Sequence, residues 1–71
     1  MTKRENKLLA DKIRTIIRDA RKKGYTYRFF FTEIHYTKYR VYNFMSHERK
    51  MSDEDLLSLK EFIETELHIT I

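Results

Sequence analysis

The first third of the chain has apolar residues at the spacing of one helix face. These positions are three or four residues apart, with charged residues between them: Leu9, Ile13, Ile16, Ile17 and Ala20. Thr2 and Glu5 have the spacing of a capping box, in which a hydroxyl and a carboxylate bond the free amides of the first turn. Gly24 follows three basic residues and is typical of a helix end. The pattern predicts a helix over residues 3–23.

A second helical pattern lies near the other end of the chain. Ser52 is followed by three acidic residues, which favour the positive end of a helix dipole. The apolar positions after it again recur at helical steps: Leu56, Leu59, Phe62, Ile63 and Leu67. We predict a helix over residues 53–66. Residues 67–71 alternate apolar and polar, which favours a short strand or an extended arm.

The middle of the chain, residues 26–52, is rich in Tyr, Phe, Lys and Arg and supports two interpretations. By propensity it could form a hairpin with strands at about 27–34 and 39–45, which would give an α-β-β-α fold. However, no Asn-Gly or Asp-Gly pair lies between the two segments. The hairpin would also place the bulky rings of residues 29–31 on both faces of a strand.

Two short helices account for more of these residues. Thr26 can cap a helix over residues 27–34, and Thr37 can cap another over residues 38–45 whose apolar residues turn inward. The outward face of this last helix would then carry polar and basic side chains: Lys38, Tyr39, Arg40, Tyr42 and Asn43. We therefore predict one all-α domain of four short helices over residues 1–71.

Charge is distributed unevenly along the chain. Residues 1–50 carry 14 Lys or Arg against 5 Asp or Glu, a net of +9, whereas residues 51–71 carry 1 against 6, a net of −5. A basic region of this size favours a polyanionic partner, most commonly nucleic acid. Ordinary solvated helix faces would give the same counts and are the plain alternative.

The residue types argue against several other functions. Cys is absent, and His35, His47 and His68 have no spacing that builds a metal site. No nucleophile elbow or Gly-rich phosphate loop is found. We expect no enzyme, no cofactor and no small-molecule ligand. No apolar run reaches the roughly 18 residues of a membrane span, so we expect no membrane partner and a cytoplasmic location.

Residues 26–56 resemble the helix-turn-helix of Cro-type and Xre-type regulators of phages and bacteria. Thr26, Thr37 and Ser52 fall on that family's three caps, and four apolar residues fall on its buried positions: Phe30, Ile34, Val41 and Phe44. The family usually has a small Ala where this chain has Phe31, so the helix pair would have to repack. The family usually has Gly at the positions of His35 and His47. His35 would therefore have to adopt a left-handed conformation.

The resemblance implies a lambda-repressor-like, helix-turn-helix domain that binds double-stranded DNA. It places base-reading side chains at Lys38, Tyr39, Arg40, Tyr42 and Asn43, and phosphate-binding ones at Tyr27, Arg49 and Lys50. It further implies a transcriptional regulator of a phage or mobile element, acting as a repressor by occlusion, and commonly as a homodimer. The alternating tail over residues 67–71 is the expected dimer element.

Two alternative functions stay open from sequence. A small phage protein of α-β-β-α fold could bind and inhibit a host protein through the aromatic segment. A helix-turn-helix surface could also bind protein instead of DNA, because fold alone does not fix function.

Overall fold

A computed structural model describes residues 1–32, 34–46 and 50–71 of the chain. It contains α1 (Lys3–Lys22), α2 (Tyr27–Phe31), α3 (Lys38–Met45) and α4 (Asp53–Leu67). The prediction of an all-α fold with four helices is confirmed, and no strand occurs among the described residues. The hairpin interpretation is wrong, because α2 and α3 occupy the segments that would have formed its strands.

All four helices begin at the predicted hydroxyl caps. The side chains of Thr2, Thr26, Thr37 and Ser52 each accept a hydrogen bond from the backbone N–H three residues later, at 3.1–3.2 Å. Each bond satisfies one of the free amides of a first turn. In α1 the Glu5 carboxylate also accepts from the Thr2 N–H at 3.0 Å, which completes the predicted capping box.

Gly24 closes α1 in the left-handed conformation that the sequence indicated, with φ +103°. The N–H of Gly24 donates to the Arg21 carbonyl at 3.2 Å, and the N–H of Tyr25 donates to the Ala20 carbonyl at 3.1 Å. This crossed pair of hydrogen bonds is a Schellman motif. It turns the chain sharply from α1 into α2.

The same motif closes α2 without a glycine. His35 has φ +52°, as the resemblance required. Its N–H donates to the Thr32 carbonyl at 3.2 Å, and the N–H of Tyr36 donates to the Phe31 carbonyl at 3.4 Å. These bonds occupy the carbonyls of Phe31 and Thr32, which would accept the next hydrogen bonds if the helix continued. The helix therefore does not continue past the turn at His35. Among the described residues α2 extends over Tyr27–Phe31, and residue 33 of the predicted helix over residues 27–34 lies outside them.

Phe31 is accommodated by an aromatic cluster at the junction of α2 and α3. Its ring stacks on Tyr36 at 5.9 Å and meets Phe44 edge-on at 6.2 Å. The contact between Phe31 and Tyr36 is the apolar pair that usually accompanies a Schellman motif. The large side chain thus fills the joint where the family has a small one.

The core is formed by apolar residues of all four helices and of the segment before α4. Its fully buried side chains are Phe30, Phe44, Ile13, Ile17, Met51, Leu56, Leu59 and Ile63. Helix α4 packs against α1 and α2. Between them, Phe29 meets Phe30 and Phe62 edge-on at 5.1 and 5.2 Å. The phenylalanines of the middle segment therefore contribute to the core.

Polar contacts join the start of α1 to the start of α4. The Met1 amine lies 3.0 Å from the Asp53 carboxylate, and the Asn6 amide donates to Asp53 at 2.7 Å and to the Met51 carbonyl at 3.0 Å. Because Asp53 accepts these bonds as a carboxylate, its pKa is lowered, with the Asn6 hydrogen bond as the largest cause.

The tail is an arm that folds back on its own chain. His68 ends α4 in a left-handed conformation, with φ +54°. Leu67 and Ile71 then pack against the core, and the Ile71 N–H donates to the Glu64 carboxylate at 3.2 Å. Ile69 is the large apolar side chain of the tail that remains exposed.

Candidate nucleic-acid interface

Helix α3 separates its side chains into a buried and an exposed face. Val41, Phe44 and Met45 are buried, as the periodicity predicted. The opposite face exposes four of the five predicted base-reading residues: Lys38, Tyr39, Arg40 and Tyr42. Tyr39 and Tyr42 are 70% and 67% exposed. Tyrosine is enriched at contact surfaces, where its ring supplies contact area and its hydroxyl a hydrogen bond.

Asn43 is placed differently from the prediction. Asn43 is only 4% exposed. At about 100° per residue it falls between Tyr39 and Arg40, on the outward side of α3, so its burial comes from neighbouring parts of the chain and not from its position on the helix. The expectation that Asn43 stands beside the other four at the surface is therefore wrong, and its amide is not available to a base edge.

Two arginines of α1 hold the C-terminal end of α3. The Nε–H of Arg14 donates to the Phe44 carbonyl at 2.6 Å, and an Nη of Arg18 donates to the Met45 carbonyl at 3.1 Å. Carbonyls of a last helical turn have no partner within the helix, and cations are favoured there. Both side chains therefore satisfy and fix the end of α3.

Arg14 is buried, with only 5% of its surface exposed, although it is charged. Its guanidinium lies 4.3 Å from the centroid of the Phe44 ring and donates to the Asp11 carboxylate at 3.0 Å. Burial lowers the pKa of Arg14, and the nearby Asp11 opposes that shift. The sequence did carry a signal, because Arg14 completes an i, i+3, i+4, i+7 stripe with Ala10, Ile13 and Ile17.

Arg40 is exposed but ordered by an aromatic neighbour. Its guanidinium lies 4.6 Å from the centroid of the Tyr36 ring, one turn before it. Burial and the neighbouring Asp55 carboxylate raise the pKa of Tyr36, against the opposing charge of Arg40. Tyr36 therefore stays neutral at neutral pH. A guanidinium stacked on a ring by its face keeps its in-plane N–H donors available.

The predicted phosphate-binding residues are only partly brought to this surface. Tyr27 is half-buried, and the Arg21 guanidinium lies 4.4 Å from its ring centroid. Lys50 is exposed and precedes Met51 of the core. Arg49 lies outside the described residues, as does His47.

An open groove of about 670 Å³ lies between α2 and α3, and we call it the aromatic groove. It is lined by Tyr27, Arg28, Phe31, Thr32, His35, Tyr36, Lys38, Val41 and Tyr42. Phe31 and Val41 are buried beneath it, whereas Arg28 and Lys38 are exposed at its sides. It brings predicted residues of both helices together at one surface. Sequence reasoning missed it because its walls come from two helices and the turn between them.

Comparisons of the chain with protein-family models, curated proteins and solved structures find no match. The likeness to Cro-type and Xre-type regulators therefore stays a prediction. None of the described helices is both long enough and apolar enough to cross a membrane.

Proposed function

We propose that this chain is a sequence-specific, helix-turn-helix DNA-binding protein that reads double-stranded DNA with α3. The exposed face of α3 carries the proposal. It presents Lys38, Tyr39, Arg40 and Tyr42 together, on a helix whose opposite face is buried in the core. Because Arg14 and Arg18 bond the last carbonyls of α3, that face is presented in a defined orientation.

The size and chemistry of α3 suit the DNA major groove. A helix with its side chains is about 10–12 Å in diameter, which fits the groove width of about 12 Å, and the eight residues of α3 span about 12 Å along the helix axis. Arg40 and Lys38 can donate to the acceptors of guanine, and tyrosine hydroxyls can bond either bases or phosphates. Asn43 has no role in this proposal, because it is buried.

Phosphate contacts would come from residues beside α3. Lys50 is exposed after it, Tyr27 begins α2, and Arg49 adjoins Lys50 in sequence. Such contacts fix the register of a protein on DNA and make its affinity depend on salt. The net charge of +9 over residues 1–50 supports this assignment.

The regulatory part of the proposal is a repressor of a phage or mobile element. A domain of this size that binds an operator would act by excluding polymerase or another regulator from the same DNA. Two copies would occupy half-sites about one DNA turn apart. The tail, with Ile69 exposed, is the proposed contact between those copies.

Two substitutions distinguish base reading from phosphate binding. Arg40→Ala should reduce the preference for the best site over a scrambled duplex by about 1–3 kcal/mol. Lys50→Ala should instead weaken binding to both duplexes alike and lower the slope of log K against log salt by about 1. Fluorescence anisotropy at several salt concentrations measures both effects.

Lys12→Ala is the matched control, because Lys12 is exposed on α1 and lies about 160° around the helix from Arg14, which bonds α3. It should change the net charge without changing the preference between duplexes. If Arg40→Ala discriminates the two duplexes as well as the wild type does, α3 is not the reading helix.

A second candidate function is protein binding through the same surface. The aromatic groove favours it, because apolar walls flanked by cations suit a protein segment as well as a nucleic acid. Inhibition of a host protein would then be carried by a helical surface instead of the hairpin first considered. A folded protein that binds no DNA would favour this candidate.

A further inference from the structure

We propose that the aromatic groove binds the outer face of α4 from a second copy of this chain, with Leu57 as the inserted side chain. The proposal concerns association of the protein in the absence of DNA. It does not depend on the DNA-binding function proposed above.

The groove has the properties of a site for an acidic segment with an apolar anchor. Its base is apolar at Phe31 and Val41, and its aromatic wall includes Tyr36. Arg28 and Lys38 are both exposed at its sides. A volume of about 670 Å³ exceeds what one aliphatic side chain fills, so part of a helix face can enter with it.

The outer face of α4 has the complementary properties. Leu57 is 49% exposed. It lies in the second turn of α4, directly after the acidic first turn and the buried Leu56. Glu54 and Glu61 are three residues before it and four after it, so all three share one side of the helix. Both glutamates are exposed. Lys60 also lies one turn from Leu57, but it is half-buried and pairs with Glu64 at 3.8 Å. An apolar side chain in a net acidic environment is thus presented to solvent.

The chain cannot fill its own groove with this face. The lining residues come from α2, α3 and the turn between them, whereas Leu57 lies on α4 and is exposed. The groove belongs to residues 1–50, with a net charge of +9, and α4 to residues 51–71, with a net charge of −5. Two copies therefore offer each other opposite charges around matching apolar surfaces.

A comparison with Leu8 shows that exposure alone does not select Leu57. Leu8 on α1 is 53% exposed, similar to Leu57. However, its neighbours one turn away are two cations and two acids, with a net charge of zero: Arg4, Glu5, Asp11 and Lys12. Insertion of Leu8 would therefore bring no net opposite charge to Arg28 and Lys38. The residues at the same offsets from Leu57 carry a net charge of −2: Asp53, Glu54, Lys60 and Glu61. The charges around each leucine therefore favour the α4 face, and not the Leu8 face of α1, as the surface that binds the groove.

The contact would compete with DNA if the proposed function holds. Lys38 and Tyr42 line the groove and also belong to the exposed face of α3. A copy whose groove is occupied would have these side chains covered. Self-association would then lower the concentration of protein able to bind DNA.

Sedimentation equilibrium of the full chain, without DNA, tests the contact. We expect an average mass above the 8.8 kDa of one chain at low salt and sub-millimolar to millimolar protein, decreasing toward that value as salt is raised. Leu57→Ala should weaken association on the order of tenfold. Leu8→Ala, the same substitution at a similarly exposed helix position, should leave it unchanged.

A mixing experiment tests whether the two surfaces meet each other. Arg28→Glu with Lys38→Glu reverses the charges beside the groove, and both acids would lie in first turns, where the helix dipole favours them. This double variant and Leu57→Ala should each associate weakly alone. Mixed, they should form a 1:1 dimer, because one supplies an intact groove and the other an intact α4 face. Circular dichroism confirms that each variant is folded.

Three results would overturn the proposal. The first is a wild-type chain that stays monomeric at millimolar concentration and low salt. The second is an equal effect of Leu57→Ala and Leu8→Ala. The third is association that is lost on removing residues 67–71 but is unchanged in both the groove variant and Leu57→Ala, since that would assign the contact to the tail.

Discussion

Replacement of Arg14 tests how α3 is held. Arg14→Met keeps a long apolar side chain in the core but removes the 2.6 Å hydrogen bond to the Phe44 carbonyl and the charge over the Phe44 ring. The residue is 5% exposed, so water reaches the orphaned carbonyl poorly. The substitution therefore removes a buried, charged hydrogen-bond donor from the C-terminal end of α3.

The expected cost follows from these contacts. A hydrogen bond from a charged group contributes about 1.5–3 kcal/mol, and a partly desolvated cation over an aromatic ring about 0.5–2 kcal/mol. Removal of a charge from the interior recovers some desolvation energy. We expect a net loss of about 2–3 kcal/mol in the free energy of unfolding. That is a large fraction of the stability of a domain this small.

Urea denaturation followed by circular dichroism at 222 nm measures this loss. Arg4→Met is the control, because Arg4 is an exposed arginine of the same helix, and it should change stability by no more than about 0.5 kcal/mol. Arg14→Lys should fall between the two, since it keeps the charge but loses the planar fork. If Arg14→Met and Arg4→Met are equally stable, Arg14 does not hold α3.

Two further predictions concern the turn and the pH dependence of folding. His35→Gly should stabilise the chain or leave it unchanged, whereas His35→Val should destabilise it by about 1–2 kcal/mol in thermal unfolding, because φ is +52° and β-branched residues tolerate that region worst. The pKa values of Asp53 and Glu5 are lowered by hydrogen bonds from Asn6 and from Thr2, respectively. Their stabilisation is present above the ordinary pKa values, 3.8 for Asp53 and 4.5 for Glu5, and should be lost as pH falls through the lowered ones. Asp53→Asn should reduce the loss of unfolding free energy at acid pH. An unchanged dependence of the unfolding free energy on pH would contradict this assignment.

The starts of the helices and the turn after α1 were predictable because local chemistry decides them. The four hydroxyl caps and Gly24 are readable in sequence, and each performs the predicted role in the structure. The left-handed conformation of His35 was expected only from the resemblance. The hairpin interpretation failed because β-propensity reports side-chain packing more than backbone preference. Here Phe30, Phe31 and Phe44 find that packing within a helical core.

The surface was less predictable because it depends on contacts between elements. Asn43 shares the outward side of α3 with Tyr39 and Arg40, and a pattern of polar residues alone does not show that other parts of the chain bury it. Arg14 is charged but buried, because the carbonyl that it satisfies belongs to another helix 30 residues away in sequence. The aromatic groove likewise requires the mutual placement of α2 and α3, which no local pattern specifies.

The most direct test of DNA reading by α3 is selection of binding sites from random double-stranded DNA with the wild-type chain. We expect enrichment of a short motif of a few base pairs, in one copy or in two copies about one DNA turn apart. Sequencing of the bound pool after successive rounds gives the answer. A folded protein that enriches no motif over the starting pool would contradict the proposed function.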